Sequence, residues 1–126
     1  MLIIQVFVVF PFILTHNWPA NSTLKVVFED AQIADTAGKV LCSTELDFSN
    51  KRSSQKYVAK LKGCPTHSVL KTIPKFGRQV YAVLYYGWKP KGKEYLRNGD
   101  FFAKDSAVLD DGAERVIVNL EQFVYC

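Results

Sequence analysis

Gln79-Val-Tyr-Ala-Val-Leu-Tyr-Tyr-Gly-Trp88 is the stretch on which the fold reading turns. Both of its parities are apolar, the pattern of a strand covered on two faces, and its β-branched and aromatic residues favour a pleated surface over a helix. A strand of this kind needs neighbours, and period-2 alternation supplies them on either side. Leu24, Val26 and Phe28 alternate with Lys25 and Val27. Val40, Cys42, Leu46 and Phe48 share one parity while Lys39, Ser43, Glu45 and Asp47 share the other. Val116, Val118 and Leu120 alternate with Arg115, Asn119 and Glu121. Val69–Ile73 and Asp100–Ala103 are shorter candidates. The expected fold is all-β, a small antiparallel β-sandwich or open barrel with room for one short helix.

Turn residues punctuate these runs. Asn98-Gly99 is a hairpin signal of the type I′ kind, Asp111-Gly112 precedes the last strand, and Pro90 with Gly92 follows the most apolar one. One segment reads two ways. Ser53 and Ser54 are able to cap a helix in which Tyr57, Val58 and Leu61 share a face, ending at Gly63. A strand with Tyr57, Ala59 and Leu61 inward fits equally.

At the N-terminus, Leu2–Leu14 is a 13-residue apolar run broken only by Gln5 and Pro11. It is too short for a helix crossing a ~30 Å hydrocarbon core and fits the h-region of a secretory signal peptide. Ala20 and Ser22 suit a cut after Ser22, and a cut after Ala20 is the alternative. The n-region carries no Lys or Arg, and a buried N-terminal strand is the competing assignment. The expected organisation is therefore a signal peptide over residues 1–22 and one secreted β-rich domain over 23–126, with no transmembrane segment.

The 126 residues carry 16 Lys+Arg and 12 Asp+Glu, with 48% hydrophobic and 13% aromatic residues, which excludes a disordered tail. The cations are concentrated. Twelve of them lie between Lys51 and Arg97 against a single acid, Glu94, whereas the remainder holds four cations against eleven acids. Such asymmetry concerns partners more than fold. Lys60, Lys62, Lys89, Lys91, Lys93 and Arg97, with Trp88 among them, are the candidate contacts for an anionic partner: an acidic glycan, an anionic lipid, a nucleic acid or an acidic protein surface.

Three cysteines permit three single disulfides. Cys42 shares the parity of Val40 and Leu46, and Cys126 that of Val116, Val118 and Leu120, so Cys42–Cys126 is the favoured bridge, leaving Cys64 in the Gly63-Pro65 turn. Cys64 and His67 make at most half of a metal site or a catalytic pair, and the acids Asp100, Asp105, Asp110 and Asp111 match no calcium loop. No catalytic residue, metal ligand or cofactor motif is assigned. The favoured function is a secreted, non-enzymatic binding or effector-type module. An assembly module whose basic half meets the acidic remainder of a neighbouring copy is the alternative, and a small secreted hydrolase is a third.

From Val80 to Leu120, the Val-Tyr-Ala-Val strand, the Gly/Lys loop, Asn98-Gly99-Asp100 and the closing Val-Ile-Val-Asn-Leu strand resemble the second half of prealbumin-like (transthyretin-like) secreted β-sandwich modules. The overall plan is also similar to small secreted β-sandwich effectors of fungal pathogens. Where bacterial modules of the first type carry an Asp/Asn-rich loop, Lys89, Lys91 and Lys93 stand here, so the resemblance implies a fold and no calcium site.

Overall fold

The structure is a computed structural model that describes residues 1–32, 38–92 and 95–125. Its strands in chain order are β1 (Leu2–Val9), β2 (Thr23–Asp30), β3 (Lys39–Asp47), β4 (Lys56–Cys64), β5 (Arg78–Tyr85), β6 (Phe101–Phe102), β7 (Ala107–Val108), β8 (Arg115–Asn119) and β9 (Glu121–Gln122). A single four-residue helical turn, α1 (His67–Leu70), and a 3-10 turn at Lys75–Gly77 lie between β4 and β5. The all-β expectation holds.

Two sheets face each other. The larger follows the order β3-β2-β5-β6-β9, with β7 also paired to β5; the smaller is β4-β1-β8. Alternate residues from both meet in the core: Ile4, Val6 and Val8 of β1, Leu24, Val26 and Phe28 of β2, Ala59 and Leu61 of β4, Val80, Ala82 and Leu84 of β5, and Val116 and Val118 of β8 are all buried. Pairing is antiparallel except between β1 and β8, which run parallel in register from Gln5 opposite Arg115 to Val9 opposite Asn119. In the full-length chain the first part of the apolar run, Leu2–Val9, is the central strand of the smaller sheet, and a chain cut after Ser22 would lack the strand that joins β4 to β8. Trp18, from the same N-terminal stretch, is buried against Phe10, Phe48 and Phe101.

Several local expectations are corrected. Lys56–Cys64 is a strand, with Ala59 and Leu61 inward and Tyr57 half-buried; the Ser53 hydroxyl caps no helix but accepts the Leu14 N–H at 2.8 Å. Val69–Ile73 is not a strand, since its first residues belong to α1. Val40 leaves the inward set, at 54% exposure, because a bulge places Cys42 opposite Phe28 but Val40 opposite Glu29, and one extra residue reverses every side chain beyond it. At Asn98-Gly99 only the glycine takes a positive φ, +99°, and the Asp100 N–H donates to the Arg97 carbonyl at 3.0 Å. That turn leads into the short β6 and is not of the type I′ kind.

The disulfide is corrected too. Cys42 is bonded to Cys64, with Cα atoms 5.1 Å apart, so Cys42 is not available to Cys126, a residue outside those described. Cys64 is not in an exposed turn but is the last residue of β4, fully buried. Since β3 and β4 lie at the edges of different sheets, the bond staples the sandwich along one side. Closing 22 residues of chain contributes on the order of 3 kcal/mol in the chain-entropy picture.

Candidate functional site

Strand parity in the smaller sheet sends Ile4, Val6 and Val8 inward and therefore sends Ile3, Gln5, Phe7 and Val9 outward. The register then assembles the outer face row by row. Phe7 lies opposite Val58 of β4 on one side and Ile117 of β8 on the other, giving an apolar row across all three strands. The row before it is Lys60–Gln5–Arg115 and the row after it is Lys56–Val9–Asn119. Val58 is 41% exposed and Ile117 60% exposed.

Lys56, Lys60 and Arg115 are exposed around that row, joined by exposed Lys62 at the next outward position of β4. No acid occupies an outward position of these three strands. Lys56 Nζ lies 5.5 Å from the centre of the Phe7 ring, a cation–π distance. A groove of about 540 Å³ continues from the face at the β8 side, lined by Phe7, Val9, Val108, Arg115 and Ile117 and by one acid, Asp110.

The remaining candidates sit elsewhere, on the loop after β5. Trp88 is buried beneath Arg97, whose guanidinium lies 3.7 Å from the indole centre, and its Nε1–H donates to Asp100 Oδ1 at 3.0 Å. Asp100, fully buried, also accepts the Tyr86 N–H on Oδ1 at 2.8 Å and the Arg97 N–H on Oδ2 at 2.7 Å. This carboxylate ties both ends of the 86–100 loop together, a structural role that its spacing to the other acids does not reveal. Lys89 is exposed beside Glu45 and Asp47. Hydrogen bonds from Ser49 hold the Asp47 carboxyl below its ordinary pKa, with the Lys89 charge adding to the effect. Lys91 is exposed, and Lys93 falls outside the described residues.

The candidates are thus divided between two places. Lys60 and Lys62 belong to the outer face of the smaller sheet, where Lys56 and Arg115 join them, whereas Lys89, Lys91, Arg97 and Trp88 belong to the loop of the larger sheet. The residues missed by sequence reading are Phe7, Val58, Ile117 and Arg115. The signal that would have found three of them is the odd-numbered parity of β1 and β8 and the even-numbered parity of β4, but only the parallel β1–β8 pairing puts Arg115 there.

Among the described residues no three His, Cys, Asp or Glu side chains gather in a way that could hold a metal ion, and no helix is long and apolar enough to cross a membrane.

No family model matches the chain, and no curated protein matches its sequence. Among solved structures, the fold is similar to an alternative pilotin from the type II secretion system of Vibrio cholerae, at a TM-score of 0.54 and 14% identity, covering 96% of this chain and 97% of that one. The likeness is one of fold. It overturns the resemblance to prealbumin-like modules and to fungal effectors, and the topology gives the reason: the Val80–Leu120 stretch that carried the resemblance is not one unit of a sheet. Its first strand, β5, is central in the larger sheet, while its closing strand, β8, crosses to the smaller sheet and runs parallel to β1.

Proposed function

We propose that this chain is a non-enzymatic binding module that takes an acidic, amphipathic segment of a protein partner on the outer face of its smaller sheet. The observation that carries this reading is the apolar row Val58–Phe7–Ile117 bounded by Lys56, Lys60, Lys62 and Arg115 with no acid between them. Strands lie ≈ 4.8 Å apart, so the row is about 10 Å long. A helix places apolar residues at i, i+3 or i+4, and i+7 over about the same length, with acids to either side able to reach the flanking cations. A nucleic acid or acidic glycan would use the cations and leave the apolar row uncovered, which is why a protein segment is favoured over either.

The fold likeness to a secretion-system pilotin supports a role in protein assembly, and the Cys42–Cys64 bond supports a location outside the reducing cytosol, in an envelope or extracellular space. The test uses a synthetic amphipathic helix with leucines at i, i+3, i+4 and i+7 flanked by glutamates, followed by fluorescence anisotropy. Wild type should bind it, a Phe7→Ser/Ile117→Ser variant should lose most of the affinity, and a Lys56→Glu/Lys60→Glu variant should lose both affinity and salt dependence. Equal binding by all three would set the proposal aside, and preference for heparin over the peptide would replace the protein segment with a polyanion.

A further inference from the structure

Around the start of β5 lies a cleft of about 480 Å³, lined by Leu70, Leu109, Ser68, Lys71 and Arg78 and by the two acids Asp110 and Asp111. Arg78 opens β5 on the inward parity, and its side chain is only 3% exposed. Taking a guanidinium out of water costs several kcal/mol unless acceptors replace the water, and the group offers five N–H donors. Here the acceptors are few. Among the described residues its one hydrogen-bond partner is Asp111 Oδ1, 2.5 Å from Nη2, and its Nε–H is buried with none.

The other nearby acids are engaged elsewhere. Asp30, opposite Arg78 in the register, accepts both the backbone and the side-chain N–H of Gln32. Asp110 pairs with Lys75 at 2.8 Å, and Glu114 lies 3.3 Å from His67 Nε2. Lys71 has no ion-pair partner among the described residues. The single compensating carboxylate, Asp111, is itself 84% exposed and stands on the Asp111-Gly112 turn, where Gly112 has a φ of +71°. A buried cation is therefore neutralised by a solvent-facing anion beside a cleft with two further donors, Ser68 and Lys71. An external oxyanion able to reach the same guanidinium would restore the same charge balance and add acceptors.

We propose that this cleft binds a small oxyanion group, carboxylate or phosphate, on Arg78, Ser68 and Lys71, in competition with the Asp111 side chain. The proposal does not rest on the sheet-face reading, although Asp110 borders both this cleft and the groove beside that face. Asp111 acts as an internal stand-in that keeps Arg78 neutralised when the cleft is empty and swings outward on its turn when a ligand enters.

The experiment is a titration of the ¹⁵N-labelled protein with sodium acetate and, separately, with inorganic phosphate, at constant ionic strength set by chloride. Saturable amide shifts should appear at Ser68, Arg78 and Gly112. Asp111→Asn, which removes the competing charge and keeps the shape, should tighten binding by roughly tenfold, the size of one charge-assisted hydrogen bond. Lys71→Ala, a change on the surface, should weaken it without affecting the fold. Tighter binding of acetate than phosphate assigns a carboxylate ligand, and the reverse assigns a phosphate. The absence of saturable shifts in both wild type and Asp111→Asn, or an affinity that Asp111→Asn leaves unchanged, overturns the proposal.

Discussion

The two outward faces of the sandwich obey the same alternation and end in opposite electrostatic states. On the larger sheet, Lys25 of β2 stands directly opposite Glu45 of β3, and Asp47, Glu29 and Glu121 occupy other outward positions. These outward positions hold four acids against one lysine, so the strands of that face are acidic. On the smaller sheet, Gln5 separates Lys60 from Arg115, Phe7 separates Val58 from Ile117, and the charged side chains on the three strands are all positive. One face is polar and acidic. The other leaves both its charge and its apolar surface to be satisfied by another molecule.

The comparison breaks most severely if the faces are exchanged. Val6→Asp puts a carboxyl group into the packed interior of β1 and should cost about 4–5 kcal/mol or more, a large part of the ~5–15 kcal/mol that holds a domain together, so that the melting transition is lost or falls far. Phe7→Asp, one residue away on the outward parity, should leave the transition in place. Thermal melts followed by circular dichroism distinguish them, and two equally unfolded variants would mean that β1 does not present Phe7 to solvent.

The staple that holds the two sheets edge to edge is next in size. Replacing Cys64 with Ser, or reducing the protein, should remove ~3 kcal/mol, measured as a fall in the urea midpoint together with a steeper slope, since the unbridged unfolded chain exposes more surface. The loop that carries Trp88 and Arg97 should respond less. Asp100→Asn exchanges a carboxylate that receives three N–H bonds for an amide that accepts on one oxygen only, and should cost about 1–3 kcal/mol with a change in Trp88 fluorescence. An unchanged emission spectrum would detach Trp88 from that carboxylate.

The smallest effect concerns the large-sheet face. Burial raises the Glu29 pKa above its ordinary value, so the folded protein holds a proton there that the unfolded chain releases sooner. Stability therefore falls as pH rises from the ordinary carboxylate range through the raised value. Glu29→Gln should remove that slope and give a slightly higher melting temperature at neutral pH than wild type, with the difference vanishing in acid. A lower melting temperature at neutral pH would show that the ionised carboxylate is held favourably.

What could be read without coordinates follows from which forces are local. Alternation identified β2 and β8, because one buried face imposes a pattern that a linear sequence displays directly, whereas β5 was legible as a β-branched and aromatic run apolar on both parities. The same rule failed at Val40, where a bulge inserts one residue and nothing in Lys39-Val-Leu-Cys announces it. It also failed at the cysteines: Cys64 reads as a turn residue beside Gly63 and Pro65, yet it closes β4 opposite Leu2, and only the meeting of β3 and β4 at the sandwich side brings it to Cys42. The basic stretch from 51 to 97 was visible as composition, but its division between the β4 face and the 86–100 loop was not. Arg115 lies outside that stretch and reaches the face through a parallel pairing between residues more than a hundred positions apart, a contact that no local pattern encodes.

The most direct test of the sheet-face assignment is amide hydrogen exchange of the intact protein with and without the leucine/glutamate amphipathic helix. The account predicts added protection and chemical-shift changes in β4, β1 and β8, at Phe7, Val58, Lys60 and Ile117 above all, with the outer face of β2, β3 and β5 unaltered. Protection centred instead on Lys25, Glu45 and Val83, or spread evenly over every exposed lysine, would contradict it.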